Sequence, residues 1–516
     1  MRWFVLAVLA VACGGDKSDS GDTASDTPTT ATGGATTSGS AGSGGAGTGT
    51  ATGTGTGTGT GGTDPTTTPT FSTPGDVVAA SCALQADNAL RAECTITRDG
   101  EGPVALQLNG PGFRATRLLE STSDATEHAI DLWGMLPNTT YSWVATAGGL
   151  TVEGELRTGS PPISLSGSTG GDAATATIDG MLVRSCSDTD YLVVYSPRGD
   201  DIVWYEDLST HSSDRAAVYG YHWAEDDTVV VATTRDEVIV LGADGSLQLR
   251  ASLSALGVEG LLHHDIYKAN GYVYALFAYE VDDCILDGVA VIDGDGSLAG
   301  VVDLGTTFEP PRCSAGGGGG GPGPGGGYWG RDLDGEDVSH ANSVYVDPTG
   351  ELVVSFRFFD TVIGLDGDPT SPTFGELRWA LEGEDGAEYE SSFSLESDVT
   401  PDASFQANHC AQYAPTGELT VFDNGNSGLS RALVIDLDLG AGVADITEVY
   451  EPGLTCGVQS AIYKHAEDGS VLLTCATEPW FAEFDEGSAA PRWTYAPSCS
   501  GMGPGGMIPR GIPVNW

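Results

Sequence analysis

Short apolar runs recur behind Gly/Asp-rich turns through residues 161–516: Tyr191-Leu-Val-Val-Tyr195, Val229-Val-Val-Ala232, Tyr272-Val-Tyr-Ala-Leu276, Leu352-Val-Val-Ser355, Leu419-Thr-Val-Phe422 and Val471-Leu-Leu-Thr474. Runs this short, bounded by turn formers, mark buried strands, and convincing long amphipathic helices are absent. A second phrase also recurs, a tryptophan in a late strand of the unit: Ile202-Val-Trp204, Leu377-Arg-Trp379 and Pro491-Arg-Trp493. Repeated four-stranded units joined by turns predict an all-β chain whose main domain, 161–516, is a β-propeller of about six blades.

Upstream the pattern changes. Residues 76–160 hold short alternating strands such as Arg91-Ala-Glu-Cys-Thr-Ile-Thr97 and Tyr141-Ser-Trp-Val-Ala-Thr146. Leu136-Pro-Asn-Thr-Thr-Tyr141, a Leu-Pro turn entering a Tyr-bearing strand, resembles the end of a fibronectin type III domain. A small β-sandwich is therefore expected, with Cys82 and Cys94 as a local disulfide and a spacer role. Residues 13–75 are Gly, Thr, Ser, Ala and Asp almost throughout, too poor in apolar surface to offset the entropy of ordering, and read as a disordered tether. Residues 1–12 carry Arg2 and an apolar run too short to span a bilayer, ending at Cys13. This resembles a bacterial lipoprotein signal, which implies export and lipidation of Cys13, anchoring the chain to the membrane of the cell envelope.

Composition narrows the partners. Against 72 Asp and Glu stand 21 Lys and Arg, for a formal net charge of −51, and the lysines are only Lys17, Lys268 and Lys464. Nucleic acid is excluded as a partner by the want of clustered cations. The acidity reads as solubility, and no Asp-x-Asp-x-Asp-Gly loop calls for calcium. Ten cysteines, nine once Cys13 is set aside, fit an oxidising compartment, and the odd count leaves at least one thiol free or paired outside the chain. No Cys-x-x-Cys pair suggests a metal or redox site. Gly316 to Gly327 lacks the Gly-Lys-Ser/Thr ending of a phosphate-binding loop and reads as an insertion. No cofactor and no metal are expected.

Candidate chemistry lies in the repeats. His264, His340 and His409 stand at comparable places, each shortly before the turn and apolar run of its own unit. In a propeller such positions are related by rotation, so the three imidazoles are expected to converge on a central funnel. Arg357 closes Val353-Val-Ser-Phe-Arg357 and is expected to join them; the two-residue period puts His340 and Asn342 on one face. Imidazoles, a guanidinium and an amide gathered in an acidic protein suit an anionic group such as sulfate, phosphate or carboxylate. The other histidines (His263, His222, His128, His211 and His465) read as structural or exposed, and Asp423 and Asn424 as turn-shaping.

The strings His340-Ala-Asn-Ser-Val, Val354-Ser-Phe-Arg357, Trp379 with Gly383, Phe405-Gln-Ala-Asn-His409 and Val421-Phe-Asp-Asn424 resemble the bacterial aryl-sulfate sulfotransferases, in the family's order over roughly 220–495. The resemblance implies an exported six-bladed propeller that moves a sulfuryl group from an aryl sulfate to a phenolic acceptor without a nucleotide sulfate donor. It implies His409 as the transiently sulfated nucleophile, His264, His340 and Arg357 as its catalytic partners, and Asn342 as a substrate-binding match to the motif. A hydrolase passing the group to water and a non-catalytic, surface-tethered binding propeller are the competing readings.

Overall fold

The computed structural model describes residues 76–186, 190–212, 218, 220–282, 284–307, 333, 335–384, 391–425, 428–499 and 508–516. The predicted signal peptide, Cys13, the tether and the glycine-rich stretch 316–327 lie outside the described residues. Within them the chain is all-β, its one α-helical segment being the single turn Leu304–Thr307.

The first two sheets build one unit. Val77–Leu84, Ala92–Arg98 and Glu127–Leu132 form a three-stranded sheet; Arg117–Ser121, Val104–Asn109, Thr140–Ala147 and Leu150–Arg157 form a four-stranded one. Alternate residues of both, among them Ile96, Leu106, Leu108, Tyr141 and Trp143, share one apolar core. The expected Cys82–Cys94 disulfide crosses the first strand pair. Tyr141 Oη accepts the Leu136 N–H at 2.7 Å and donates to the Pro111 carbonyl at 3.1 Å, which locks the Leu-Pro turn to its strand.

From residue 167 onward six mainly antiparallel sheets follow one another along the chain. Five of the six repeated apolar runs are second strands of their sheets, counted from the side that carries the histidines; Tyr191–Tyr195 is the third strand of the first sheet, which takes its leading strand, Ile512–Val514, from the far end of the chain. The sixth sheet takes its last strand, Gly167–Gly171, from the beginning, so both ends are hydrogen-bonded into neighbouring sheets. Apolar cores lie between the first and second sheets, second and third, third and fourth, fourth and fifth, and fifth and sixth. A further one joins the sixth sheet back to the first through Phe481, Trp493 and Tyr495 against Met181, Val183 and Tyr195. Runs buried on both faces have no polar side to alternate with, which is why they read as continuous. Trp204, Trp379 and Trp493 are buried in these cores; the first donates to the Ala243 carbonyl and the second to Glu351.

Among the described residues, Cys186–Cys499 ties the end of the sixth sheet to the first, and Cys456–Cys475 bridges the entry of the sixth sheet to its second strand. Cys410 is a free, buried thiol, in keeping with the odd cysteine count.

Candidate active site

The leading strands of successive sheets, Gly220–Trp223, Leu261–Ala269, Ala341–Val346, His409–Tyr413 and Ala461–Lys464, pack side by side, joined by Ile512–Val514. Each of the three that carry or directly follow His264, His340 and His409 breaks register near its start: between Leu262 and Ile266, between Ala341 and Ser343, and between His409 and Gln412. Bulges of this kind re-aim side chains out of the two-residue alternation. The histidines therefore converge from three different register positions. His264 sits inside its bulge, His340 one residue before its strand, and His409 on the last paired residue before its bulge, opposite Phe422. His340 lying outside the strand also removes the alternation argument that placed it beside Asn342.

Backbone strain is concentrated here. His264 (φ 49°), His340 (φ 51°), and Ala407 and Cys410 on either side of His409 (φ 49° and 51°) are all left-handed. Non-glycine residues in that region cost on the order of 1–2 kcal/mol each and persist where the surroundings over-determine them. The surroundings do so: the His340 carbonyl accepts the Arg357 N–H at 3.1 Å, and Asp360 Oδ1 accepts the Ala407 N–H at 2.5 Å.

The result is a cluster of imidazoles. The ring centroids of His264 and His340 are 4.7 Å apart, and those of His264 and His409 are 6.0 Å apart. His340 is oriented by Asp337, whose Oδ2 lies 2.6 Å from its Nδ1, and Phe358 packs against its ring. His409 differs from the other two. It is buried and neither ring nitrogen makes a hydrogen bond; the backbone of Ser460 lies near enough to favour its charged form slightly, without hydrogen-bond geometry. A buried polar group left unmade costs roughly 1–3 kcal/mol, and such exceptions in a native fold call for a reason.

Electrostatics hold this imidazole neutral. Burial is the largest cause, followed by the positive charges of Arg510 and Arg357, and together they keep His409 well below the usual histidine range. Burial likewise depresses His264, with His340, His263, His409 and Arg357 adding to the effect. A buried neutral ring with an unshared electron pair is chemically a nucleophile or base.

Arg357 follows immediately on the strand Glu351–Phe356. Its guanidinium donates to the carbonyls of Ala407 (3.4 Å) and Gly457 (3.0 Å) and forms no ion pair among the described residues. Burial lowers its pKa, against Asp360. A cation without a carboxylate, two residues from His409's own backbone, is available to an anionic ligand. Asn342 is brought to the same place by another route. Its amide donates to the Asn408 carbonyl at 2.7 Å, one peptide from His409, and its own Oδ1 is without a partner.

Arg510 was not legible as a site residue. It enters from the C-terminal segment and is bound by Asp265, with Nη1 to Oδ2 at 2.8 Å and a second contact from Nη2 to Oδ1. Nothing local marks it, because its partner lies on a strand remote in sequence. His263, read from the sequence as structural or exposed, is buried against His264, with Nδ1 to Nδ1 at 2.9 Å. Asp423 and Asn424 brace the loops, Asp423 by accepting from Arg431 at 2.7 Å and Asn424 by donating to the carbonyls of Cys456 and Gln459. Among the described residues no group of three or more His, Cys, Asp or Glu is arranged to hold a metal ion.

No curated protein matches the chain. Solved structures similar to it include a protein of unknown function from Bacteroides caccae (10% identity, TM-score 0.40, covering 65% of this chain and 98% of that one). Others are virginiamycin B lyase from Staphylococcus aureus (12%, 0.31, 53% and 68%) and BamB from Moraxella catarrhalis (12%, 0.29, 64% and 78%). Likenesses of this size bear on neither fold nor function. The family model for arylsulfotransferases (ASST) matches residues 173–433, just over half of the 516 residues and the part that contains His264, His340, Arg357 and His409, and the chain belongs to that family.

Proposed function

We propose that this arylsulfotransferase moves a sulfuryl group from a phenolic sulfate ester to an acceptor phenol in two steps through a sulfated His409, with no nucleotide sulfate donor. The observation that carries this reading is the buried, neutral imidazole of His409, both of whose ring nitrogens lack a hydrogen bond. In the first step a lone pair of His409 attacks sulfur, the S–O bond breaks, and its electron pair leaves on the phenolate. In the second the acceptor oxygen attacks the same sulfur, the S–N bond breaks, and its pair returns to the ring. Splitting one transfer in two is what a nucleophile contributes; positioning and charge stabilisation supply the rest, as in phosphoryl transfer. Arg357 and His340 receive the sulfuryl oxygens, and His264 handles the phenolic proton. Asn342, expected to bind substrate, serves through the Asn408 carbonyl by fixing the backbone that carries His409.

The architecture that suits this reading is a six-bladed propeller whose leading strands line the site. It is preceded by a fibronectin III-like sandwich acting as spacer and a tether, with Cys13 lipidated and the protein exported to the cell envelope.

The test is to incubate the purified chain with a chromogenic aryl sulfate, with and without a second phenol, beside His409→Asn. Acceptor-stimulated phenol release, a new sulfate ester, and an acid-labile sulfate on His409 are expected, all lost in the variant. Release that ignores the acceptor identifies a hydrolase instead, and an equally active His409→Asn removes the proposed nucleophile.

A further inference from the structure

Behind the imidazole cluster lies a second, wholly buried line of titratable groups that the transfer chemistry above does not use. His263 and Asp287 are 1% and 0% exposed. Asp287 Oδ2 is occupied: it accepts the Ser339 hydroxyl at 2.5 Å and the Ala341 N–H at 2.7 Å. Its other oxygen, Oδ1, lies 3.0 Å from His263 Nε2, at ion-pair distance though outside hydrogen-bond geometry. The opposite nitrogen of the same ring, Nδ1, lies 2.9 Å from His264 Nδ1. The three side chains thus form one line, Asp287 to His263 to His264, running from the third sheet into the site, and the His264 ring at its end sits 6.0 Å from that of His409.

Each link constrains the next. A carboxylate oxygen 3.0 Å from Nε2 of His263 favours a proton on that nitrogen, because facing lone pairs repel. A neutral ring then has a lone pair at Nδ1, which can only accept. His264 must therefore carry its proton on Nδ1, leaving its Nε2 as an acceptor. Orientation of a working imidazole by a hydrogen bond at its far nitrogen is a general device for fixing tautomer and strengthening the base.

We infer that His263 is a positioning residue that couples the buried Asp287 carboxylate to His264 and so makes His264 Nε2 the base for the acceptor phenol. This rests on the reading of His264 as the group that handles the phenolic proton. In the acceptor half of the reaction the phenol O–H proton passes to His264 Nε2 as the oxygen attacks the sulfur on His409 and the S–N pair returns to the His409 ring. The resulting imidazolium donates through Nδ1 to His263, whose Nε2–H faces Asp287. The new positive charge is thereby balanced by a buried carboxylate two links away, and no second proton moves.

Two substitutions separate the links. His263→Asn keeps an oxygen where Nδ1 was, so it preserves the acceptor for His264 and severs only Asp287; His263→Leu removes both. Sulfuryl transfer is measured to a series of acceptor phenols of decreasing acidity, with thermal melting as the check on folding. The expected order is wild type, then Asn, then Leu. The Leu variant should lose about 10²-fold in kcat with the least acidic acceptor, the scale of general base catalysis, and progressively less as the acceptor becomes more acidic. A loss of equal size across the series, or Leu and Asn indistinguishable, overturns the inference. A second measurement does not depend on the variants folding: with histidine labelled in ¹⁵N, His264 of the wild type should show protonated Nδ1 and unprotonated Nε2. The reverse tautomer overturns the inference outright. His264→Asn separates the two readings. If it transfers at the wild-type rate, the base assignment and the relay fall together; if it is slow and the His263 variants are not, only the relay falls.

Discussion

Arg510 donates through Nη1 to Asp265 Oδ2 at 2.8 Å, so the seventh residue from the chain's end is clamped to the residue that follows His264. The pair is buried, and Asp265 Oδ2 also takes the Val344 N–H at 3.0 Å, drawing the third and fourth sheets together under the site. Asp265 is what keeps the Arg510 charge in place, raising its pKa far above normal against the cost of burial. Breaking a buried pair strands one charge, at about 3–5 kcal/mol. Arg510→Met should therefore lower stability by that amount in denaturant titrations, and the double variant with Asp265→Asn should recover part of it. An Arg510→Met chain as stable as wild type would show that the clamp contributes nothing.

The depressed histidines make stability depend on pH in one direction. His264 and His409 are held well below 6.5 chiefly by burial, and His222 is pushed down to about 3 by burial, Arg510 and Lys268. The unfolded chain binds these protons near pH 6.5 and the folded chain does not. Their contribution is thus complete above about pH 6.5 and is lost as the pH falls toward the folded values. Each adds a slope of up to ~1.4 kcal/mol per pH unit. With a net charge of −51, acid also relieves self-repulsion, so the comparison to make is wild type against His222→Gln between pH 7.5 and 4. The variant should lose stability less steeply on acidification. Parallel curves would contradict the assignment of a depressed His222.

How much of this was legible follows from where each signal is stored. The inner strands announced themselves because strands buried on both faces are continuous apolar runs, and Trp379 was legible because a tryptophan recurs in the late strand of three sheets, as Trp204, Trp379 and Trp493. Among site residues, His340 and His409 stand in local strings that survive folding as neighbours. Asp287, Asp265 and Arg510 do not: sheet pairing and chain closure bring them to the site, and those depend on partners far away in sequence. The register was also hidden. Side-chain alternation assumes regular pleating, and the bulges at Leu262/Ile266, Ala341/Ser343 and His409/Gln412 break it where the histidines turn inward.

Gly383 shows how tightly the approach to His409 is set. A Cβ there would stand 2.1 Å from the Phe405 carbonyl oxygen, which is backbone and cannot swing aside. Gly383 also accepts the Phe405 N–H at 3.0 Å and donates to Asp360, which in turn holds Ala407. Gly383→Ala should therefore displace the segment leading to His409, costing about 1–3 kcal/mol in stability and a larger share of transfer activity. The measurement is kcat beside the melting midpoint, and an active, normally stable variant would contradict the close approach.

Cys410 follows the proposed nucleophile and invites the idea that it shares the chemistry. Its thiol is buried, burial raises its pKa, and it lies 4.0 Å from Tyr463 Oη. A thiol held protonated and out of solvent is inert. Peptide mapping after alkylation should find Cys410 unmodified in the native chain and modified after unfolding, and Cys410→Ala should keep transfer within a few-fold of wild type. Rapid native labelling would place the thiol in reach of solvent and of substrate.

Arg357 decides whether the site recognises an anion by charge alone or by shape. Its guanidinium spans the Ala407 and Gly457 carbonyls, one on the segment leading to His409 and the other just ahead of the sixth sheet, and has no carboxylate to answer among the described residues. A planar fork can hold both carbonyls and still present N–H groups to two sulfuryl oxygens; the compact ammonium of lysine carries the same charge and cannot do both. Arg357→Lys should thus keep the melting midpoint close to wild type while transfer falls by about 10²- to 10³-fold, the scale of one lost donor to a developing oxyanion. If the charge were sufficient, the lysine variant would turn over at the wild-type rate and only Arg357→Met would fail. The two variants measured side by side separate positioning from attraction at this guanidinium.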